Sequence, residues 1–144
     1  LDEDIEVLVA EEILRVPDRF QLNYLNVISG TVAVPTAIVK LQVDGVEQQG
    51  AGFGVGPIDA TYNTIAKMTG TKSKLVRFSI NAISSGTDAQ GEVTVRLQEN
   101  GLVVLGKGAD PDIFIASAKA YINGLNRLEY LKKNPSLSPE ERRL

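Results

Sequence analysis

Shifting the chain by roughly 56 residues lays it over itself, and this internal period limits its possible folds more than any other feature. Ser29-Gly30-Thr31 falls on Ser85-Gly86-Thr87 and Ala33 on Ala89. Val39-Lys-Leu-Gln42 falls on Val95-Arg-Leu-Gln98, Gly45 on Gly101, Gly50 and Gly52 on Gly106 and Gly108, and Ala60 on Ala116. Self-similarity of this kind marks two copies of one supersecondary unit. A chain of 144 residues, 43% of them hydrophobic, has room for those two copies around a core and little more.

The content of one copy follows from its periodicity. Phe20 to Ser29 is strand-like, with Leu22, Tyr24, Val27 and Ile28, and Gly30 breaks it. Thr36 to Val43 alternates Ala37, Val39, Leu41 and Val43 against Ile38, Lys40 and Gln42, and Asp44-Gly45 is a hairpin turn signal. A third strand over about Val46 to Ala51 leads into Gly50-Ala-Gly-Phe-Gly-Val-Gly56. Pro57 then stands at a first helical position, and Ile58, Tyr62, Ile65 and Met68 mark a helix face. The second copy predicts strands near Leu75 to Ile83, Glu92 to Gln98 and Leu102 to Gly106. A long helix from about Pro111 to Lys132 follows, capped by Asp110. The fold class is therefore α+β: two pseudo-symmetric βββα repeats, about 20–70 and 74–133, forming a two-layer sheet/helix sandwich. A short helix is expected ahead of them, because Ile5, Leu8, Val9, Ile13 and Val16 recur at helical spacing before Pro17. Residues 134–144 read as a tail. Exposed strand edges and a broad apolar helix face favour association of two copies.

Composition removes most chemistry. There is no cysteine and no histidine, so thiolate and imidazole metal sites, disulfides and Ser-His or Cys-His nucleophiles are excluded. Fifteen basic against eighteen acidic residues give a net charge of -3 without a run of either sign, which sets aside nucleic acid and membrane as main partners. The opening Leu1-Asp2-Glu3-Asp4 is neither a signal peptide nor an initiator methionine, so the chain is expected to be part of something longer.

The stretch Gly50 to Gly56 follows a strand and opens a helix, as a phosphate loop would. It lacks the Gly-Lys-Ser/Thr ending of a Walker loop, since Gly56 meets Pro57, and Lys74 to Ile83 lacks the acid a dinucleotide fold needs. Two other readings remain open. The glycines can serve a tight turn and close helix-sheet packing. Alternatively, the two helix starts present backbone N–H groups suited to a small carboxylate, with Asp88, Asp110 and Asp112 near enough to hold an ammonium group. Ile58, Leu75, Phe78, Ala82, Ala89 and Ile113 would then supply an aliphatic slot, which together describes an amino-acid site. Asp110 and Asp112 are also ordinary helix-start acids, and Phe78 and Leu75 ordinary core residues.

Three motifs in order carry a resemblance to a known family. They are Gly54-Val-Gly-Pro-Ile-Asp-Ala60, Ser85-Gly-Thr-Asp-Ala-Gln-Gly91, and Gly106-Lys-Gly108 with Asp112-Ile113 and Ala116-Ser-Ala-Lys-Ala-Tyr-Ile-Asn-Gly-Leu-Asn126. Over about Phe20 to Leu128 the chain resembles the C-terminal regulatory domain of the 2-isopropylmalate synthases, with citramalate synthases as close relatives. The resemblance implies a cytoplasmic regulatory and dimerisation domain, itself without catalysis or cofactor. Its parent enzyme's metal-dependent TIM barrel condenses acetyl-CoA with 2-oxoisovalerate, and residues 1–19 would be a helical linker remnant. It further implies feedback by leucine bound near the homodimer interface. The matching effector positions are Gly54, Gly56 and Ile58 at the first helix start; Leu75, Phe78 and Ala82 on the fourth strand; Ala89 in the next loop; and Pro111, Asp112 and Ile113 at the second helix start. The chain departs from the family at Val55, often asparagine, and at Phe78, often tyrosine, which removes a hydroxyl. Citramalate synthase domains answer to isoleucine, a difference of one methyl position worth only about 1–3 kcal/mol in an apolar pocket. Ala82 and Ala89 leave depth for a γ-branched side chain and favour leucine. A copy that no longer senses any effector and only dimerises would use the same glycines and alanines.

Overall fold

A computed structural model of the chain describes residues 18–83 and 89–136. The helix expected up to Val16, the acid Asp88 and the end of the tail lie outside the described residues. Eight elements follow one another: β1 (Phe20–Ile28), β2 (Thr36–Val43), β3 (Val46–Phe53), α1 (Pro57–Thr69), β4 (Lys74–Ile83), β5 (Gln90–Glu99), β6 (Leu102–Asp110) and α2 (Ile113–Lys133). The strands form two separate antiparallel meanders, β1-β2-β3 and β4-β5-β6, each followed by its helix. This is the duplicated βββα architecture that the sequence period requires. Strands β3 and β6 run further than the hydrophobic pattern indicated, to Phe53 and Asp110, because glycine and alanine at their ends still pair with β2 and β5.

The copies repeat in detail. Asp44-Gly45 and Asn100-Gly101 turn the second hairpin of each unit with both residues at positive φ (51° and 84°, then 49° and 81°), as a two-residue primed turn demands. Each first strand bulges at one position, between Leu22 and Tyr24 opposite Leu41 and between Leu75 and Arg77 opposite Leu97. Leu22 and Leu75 lie three residues closer in sequence than Leu41 and Leu97 do. Those three residues extend the β4–β5 hairpin, adding the rungs Ala82↔Gly91 and Ile83↔Gln90 at the end of the sheet where α2 begins.

The core is built from the inward rows of both sheets. Ala37, Val39 and Leu41 of β2 and Val93, Val95 and Leu97 of β5 are fully buried beneath helix residues such as Ile65, Leu125 and Leu128. Helix α1 packs on β2 and β3, and α2 packs on β5 and β6. The longer α2 also reaches β1 of the first unit, where Phe20 N donates to Asn126 Oδ1 (2.8 Å) and Asn126 Nδ2 donates to Phe20 O (2.9 Å). One side-chain amide thus closes the backbone edge of β1. A chain of charges runs alongside: Arg19 contacts Asp44 (3.3 Å) and Glu129 (3.0 Å), and Lys132 contacts Glu99. It ties the two equivalent hairpin turns to the last turns of α2.

Among the described residues strand β4 has no such cover. Its inward row pairs with the buried row of β5, yet Leu75 is 41% and Ile80 48% exposed, and neither helix does more than graze the strand. The corresponding β1 residues Leu22, Leu25 and Val27 are half-buried against the core.

Candidate functional site

The two helix starts differ in how their first N–H groups are used. At α1 the N-cap is Gly56, extended at φ −158° and ψ 174°, and no side chain caps the helix. Gly54 lies against the first turn so tightly that a Cβ there would run into the backbone N of Ala60, and its own N–H donates to Pro35 O (3.1 Å). The turn is held by Asp59, whose Oδ2 accepts from Val55 N (2.8 Å) and from Asn63 Nδ2 (3.3 Å). A Cβ on Gly56 would meet nothing within 4 Å, so the approach to this helix end is open. Ile58, half-buried, faces the core one turn before Tyr62.

At α2 the end is filled. The N-cap is Asp112, not Asp110, and its Oδ1 accepts from Phe114 N (2.8 Å) and Ile115 N (3.3 Å). Asp110 instead ends β6, where its carboxylate accepts from Asp112 N (2.9 Å) and pairs with Lys119 (3.0 Å). Those bonds, the backbone one foremost, hold Asp110 below its ordinary carboxylate pKa. The helix therefore starts at Ile113 rather than Pro111, because the sheet continues to Asp110 and the chain needs Pro111 and Asp112 to turn.

The remaining candidates fall into two neighbourhoods. Ala82 pairs with Gly91, Gly91 pairs with Asp110, and a Cβ on Gly91 would meet Ile113 Cδ1 at 2.7 Å. Ala82, Ile113 and the Pro111-Asp112 turn thus gather at one end of the second sheet, with exposed Ala89 leading into β5 beside them. Leu75 does not join them: it sits at the other end of β4, roughly 20 Å away at the usual strand rise. Phe78 lies between, half-buried, and connects to the α1 group through Tyr62, whose ring stands edge-on to it at 6.0 Å and 70°. Sequence reasoning passed over three contributors. Asp59 sits three residues after its N-cap, Gly91 falls at a close strand–helix approach, and Tyr62 was visible only as one more residue of an apolar face.

Among the described residues no group of three His, Cys, Asp or Glu side chains could hold a metal ion, and no helix is long and apolar enough to cross a membrane. The fold and these helix starts define a class of protein: a duplicated sheet-and-helix domain in which one glycine-rich helix start has no side-chain cap and its duplicate is closed by an aspartate. The chain belongs to the LeuA allosteric (dimerisation) domain family, whose model matches residues 1–129. It is similar to 2-isopropylmalate synthase of Syntrophus aciditrophicus (strain SB), 59% identical over 133 residues, 92% of this chain and 26% of that protein. The 2-isopropylmalate synthases of Nitratidesulfovibrio vulgaris (56% over 128 residues, 88% and 25%) and Heliobacterium modesticaldum (45% over 129 residues, 90% and 25%) are also similar. The chain spans about a quarter of the length of these relatives.

Proposed function

We propose that this is the leucine-sensing feedback domain of a cytoplasmic 2-isopropylmalate synthase, working as a homodimer. The observation that carries the reading is the open N-terminus of α1: in an allosteric family, one helix start is left without a side-chain cap while its duplicate is filled by Asp112. Such an end suits the carboxylate of an amino acid. Gly54, Gly56 and Ile58 would line it, with Phe78, Ala82, Ala89 and the Pro111–Ile113 turn contributing from the second unit. Leu75, far from that end and exposed, would face a second copy laid on β4. The domain would carry no catalysis itself. Acetyl-CoA, the 2-oxo acid and the divalent metal belong to a TIM barrel elsewhere in the parent acyltransferase. Leucine would act by binding one arrangement of the dimer more tightly than another.

The test is calorimetric binding of leucine, isoleucine and valine to the chain and to Gly56→Asp and Gly56→Asn. Gly56 is extended with open space at Cβ, so both variants should fold and gain a few tenths of a kcal/mol from capping. The aspartate should weaken leucine binding at least about tenfold, placing like charge at the ligand's carboxylate, and asparagine should weaken it less. Unchanged affinity in Gly56→Asp overturns the site. Preference for isoleucine moves the domain to the citramalate branch. A non-sensing dimerisation module is the second reading. It is favoured by Gly54, which the packing against Ala60 demands with or without a ligand, and it would follow if no amino acid binds.

A further inference from the structure

The outer face of the second sheet, turned away from α2, collects four cations that lie apart in sequence. In β5 the side chains of Val93, Val95 and Leu97 are buried, so Thr94, Arg96 and Gln98 point the other way. The register then places Arg77 opposite Arg96, Lys74 opposite Gln98 and Lys107 opposite Thr94 on that same face. Lys74, Arg77, Arg96 and Lys107 thus form a diagonal across all three strands, about 17 Å from end to end. All four are exposed, and among the described residues none of their side chains makes an ion pair or a hydrogen bond. Glu92 is the one acid on this face among the described residues; it lies a rung beyond Lys107 and pairs with none of the four.

The fold does not require this arrangement. At the equivalent rungs of the first sheet stand Gln21, Tyr24, Lys40 and Ala51, a single cation whose ammonium lies 5.3 Å from the centre of the Tyr24 ring. Two arginines directly opposite each other, with Cβ atoms about 5 Å apart, repel. A chain of net charge -3 therefore carries a basic face that its charge total conceals, because the residues are scattered from 74 to 107 and only the meander assembles them. We propose that this face is a docking surface for an acidic segment of another polypeptide, with carboxylates seated between Arg77 and Arg96 and reaching Lys74 and Lys107 at either end. A guanidinium fork matches a carboxylate bidentately, and a carboxylate between the two arginines offsets their repulsion. Val103, 43% exposed, and half-buried Leu105 border the diagonal on the same face and offer apolar contact. The span from Lys74 to Lys107 is about that of five extended residues. Among the described residues no aromatic side chain lies in these outward rows, so the face gives unpaired bases nothing to stack on, which favours a peptide over a nucleic-acid strand. The inference does not rest on the effector reading, whose site is at the helix starts.

Fluorescence anisotropy of a labelled glutamate-alanine repeat peptide, titrated with the full chain at low ionic strength, tests the proposal. The peptide should bind, a lysine-alanine repeat should not, and added salt should weaken the complex. Arg77→Gln combined with Arg96→Gln should weaken binding at least about tenfold, whereas Lys40→Gln on the outer face of the first sheet should change it by less than about twofold. Arg96→Gln alone should raise the unfolding midpoint by about 1–3 °C, since it removes one of two facing like charges, and this also shows that the variant folds. Absence of peptide binding, undiminished binding by the double variant, or an equal loss in Lys40→Gln overturns the proposal. Tighter binding of an oligothymidylate, or of vesicles containing phosphatidylserine, than of the acidic peptide overturns the choice of partner. A midpoint lowered by Arg96→Gln means that the fold itself uses the arginine, and overturns the reading that the face is built for a partner. Whether any amino acid binds the chain has no bearing on these outcomes.

Discussion

In the first unit Gly50 and Gly52 of β3 face Met68 and Thr64 of α1; at the same register of the second unit, Gly106 and Gly108 of β6 face Gly124 and Ala120 of α2. The glycines are duplicated and their partners are not. A Cβ on Gly50 would meet the flexible end of Met68 at 2.7 Å, whereas one on Gly106 would run into the carbonyl of Ala120 and the backbone of Gly124. Helix α2 therefore lies backbone-to-backbone along β6, whereas α1 meets Gly50 and Gly52 of β3 through side chains and approaches backbone closely only at Gly54, just past the strand. The closer seat goes with the longer helix, 21 residues against 13, and only α2 runs on to cover β1 of the other unit. The second unit thus supplies the common scaffold. The first supplies the open helix start, and among the described residues β4 is left with little cover.

The largest test of that contrast is a pair of identical substitutions. Gly106→Ala should destabilise by about 3 kcal/mol, since backbone cannot yield to the added carbon, while Gly50→Ala should stay within about 1 kcal/mol because Met68 can move. Urea midpoints at constant slope measure both, and equal losses would end the claim that the helices are seated differently. Next come the two asparagines of α2 that meet strand edges. Asn126→Ala strips two hydrogen bonds from the buried edge of β1 and should cost about 2–3 kcal/mol. Asn123→Ala removes one exposed bond to Lys107 N (2.9 Å) and should cost about 1 kcal/mol or less. A reversed order would mean that α2 does not bridge the units as described. The smallest effect is at the caps: Asp112→Ala should lower stability by about 1 kcal/mol. Thermal unfolding of this variant beside Gly56→Asp should show opposite signs, and matching signs would remove the asymmetry between the helix starts.

Much of the site was legible in sequence as residue types and much less as geometry. Gly54, Gly56 and Pro57 announced a glycine-capped helix with proline at its first position, and that is what forms. The second helix start was misplaced by two residues, because Asp110 and Asp112 are both plausible caps and only the extra rung Gly91↔Asp110 shows that the strand takes the first of them. Leu75 and Ala82 both read as positions of the fourth strand; the span of β4 separates them.

By itself the sequence determined the duplication, the meander of each unit, and the turn at Asp44-Gly45 with Gly101 as its counterpart. These depend on backbone preference and on apolar spacing within a few residues of one another. The tertiary structure alone decided that α2 serves both units, that Asn126 closes β1 across 106 residues of chain, that β4 is left uncovered among the described residues, and that one helix start is open while its duplicate is closed. Two copies with the same local pattern are equivalent until they pack. Their differences then come from a few side-chain volumes and one longer helix, whose effects exist only when distant segments touch.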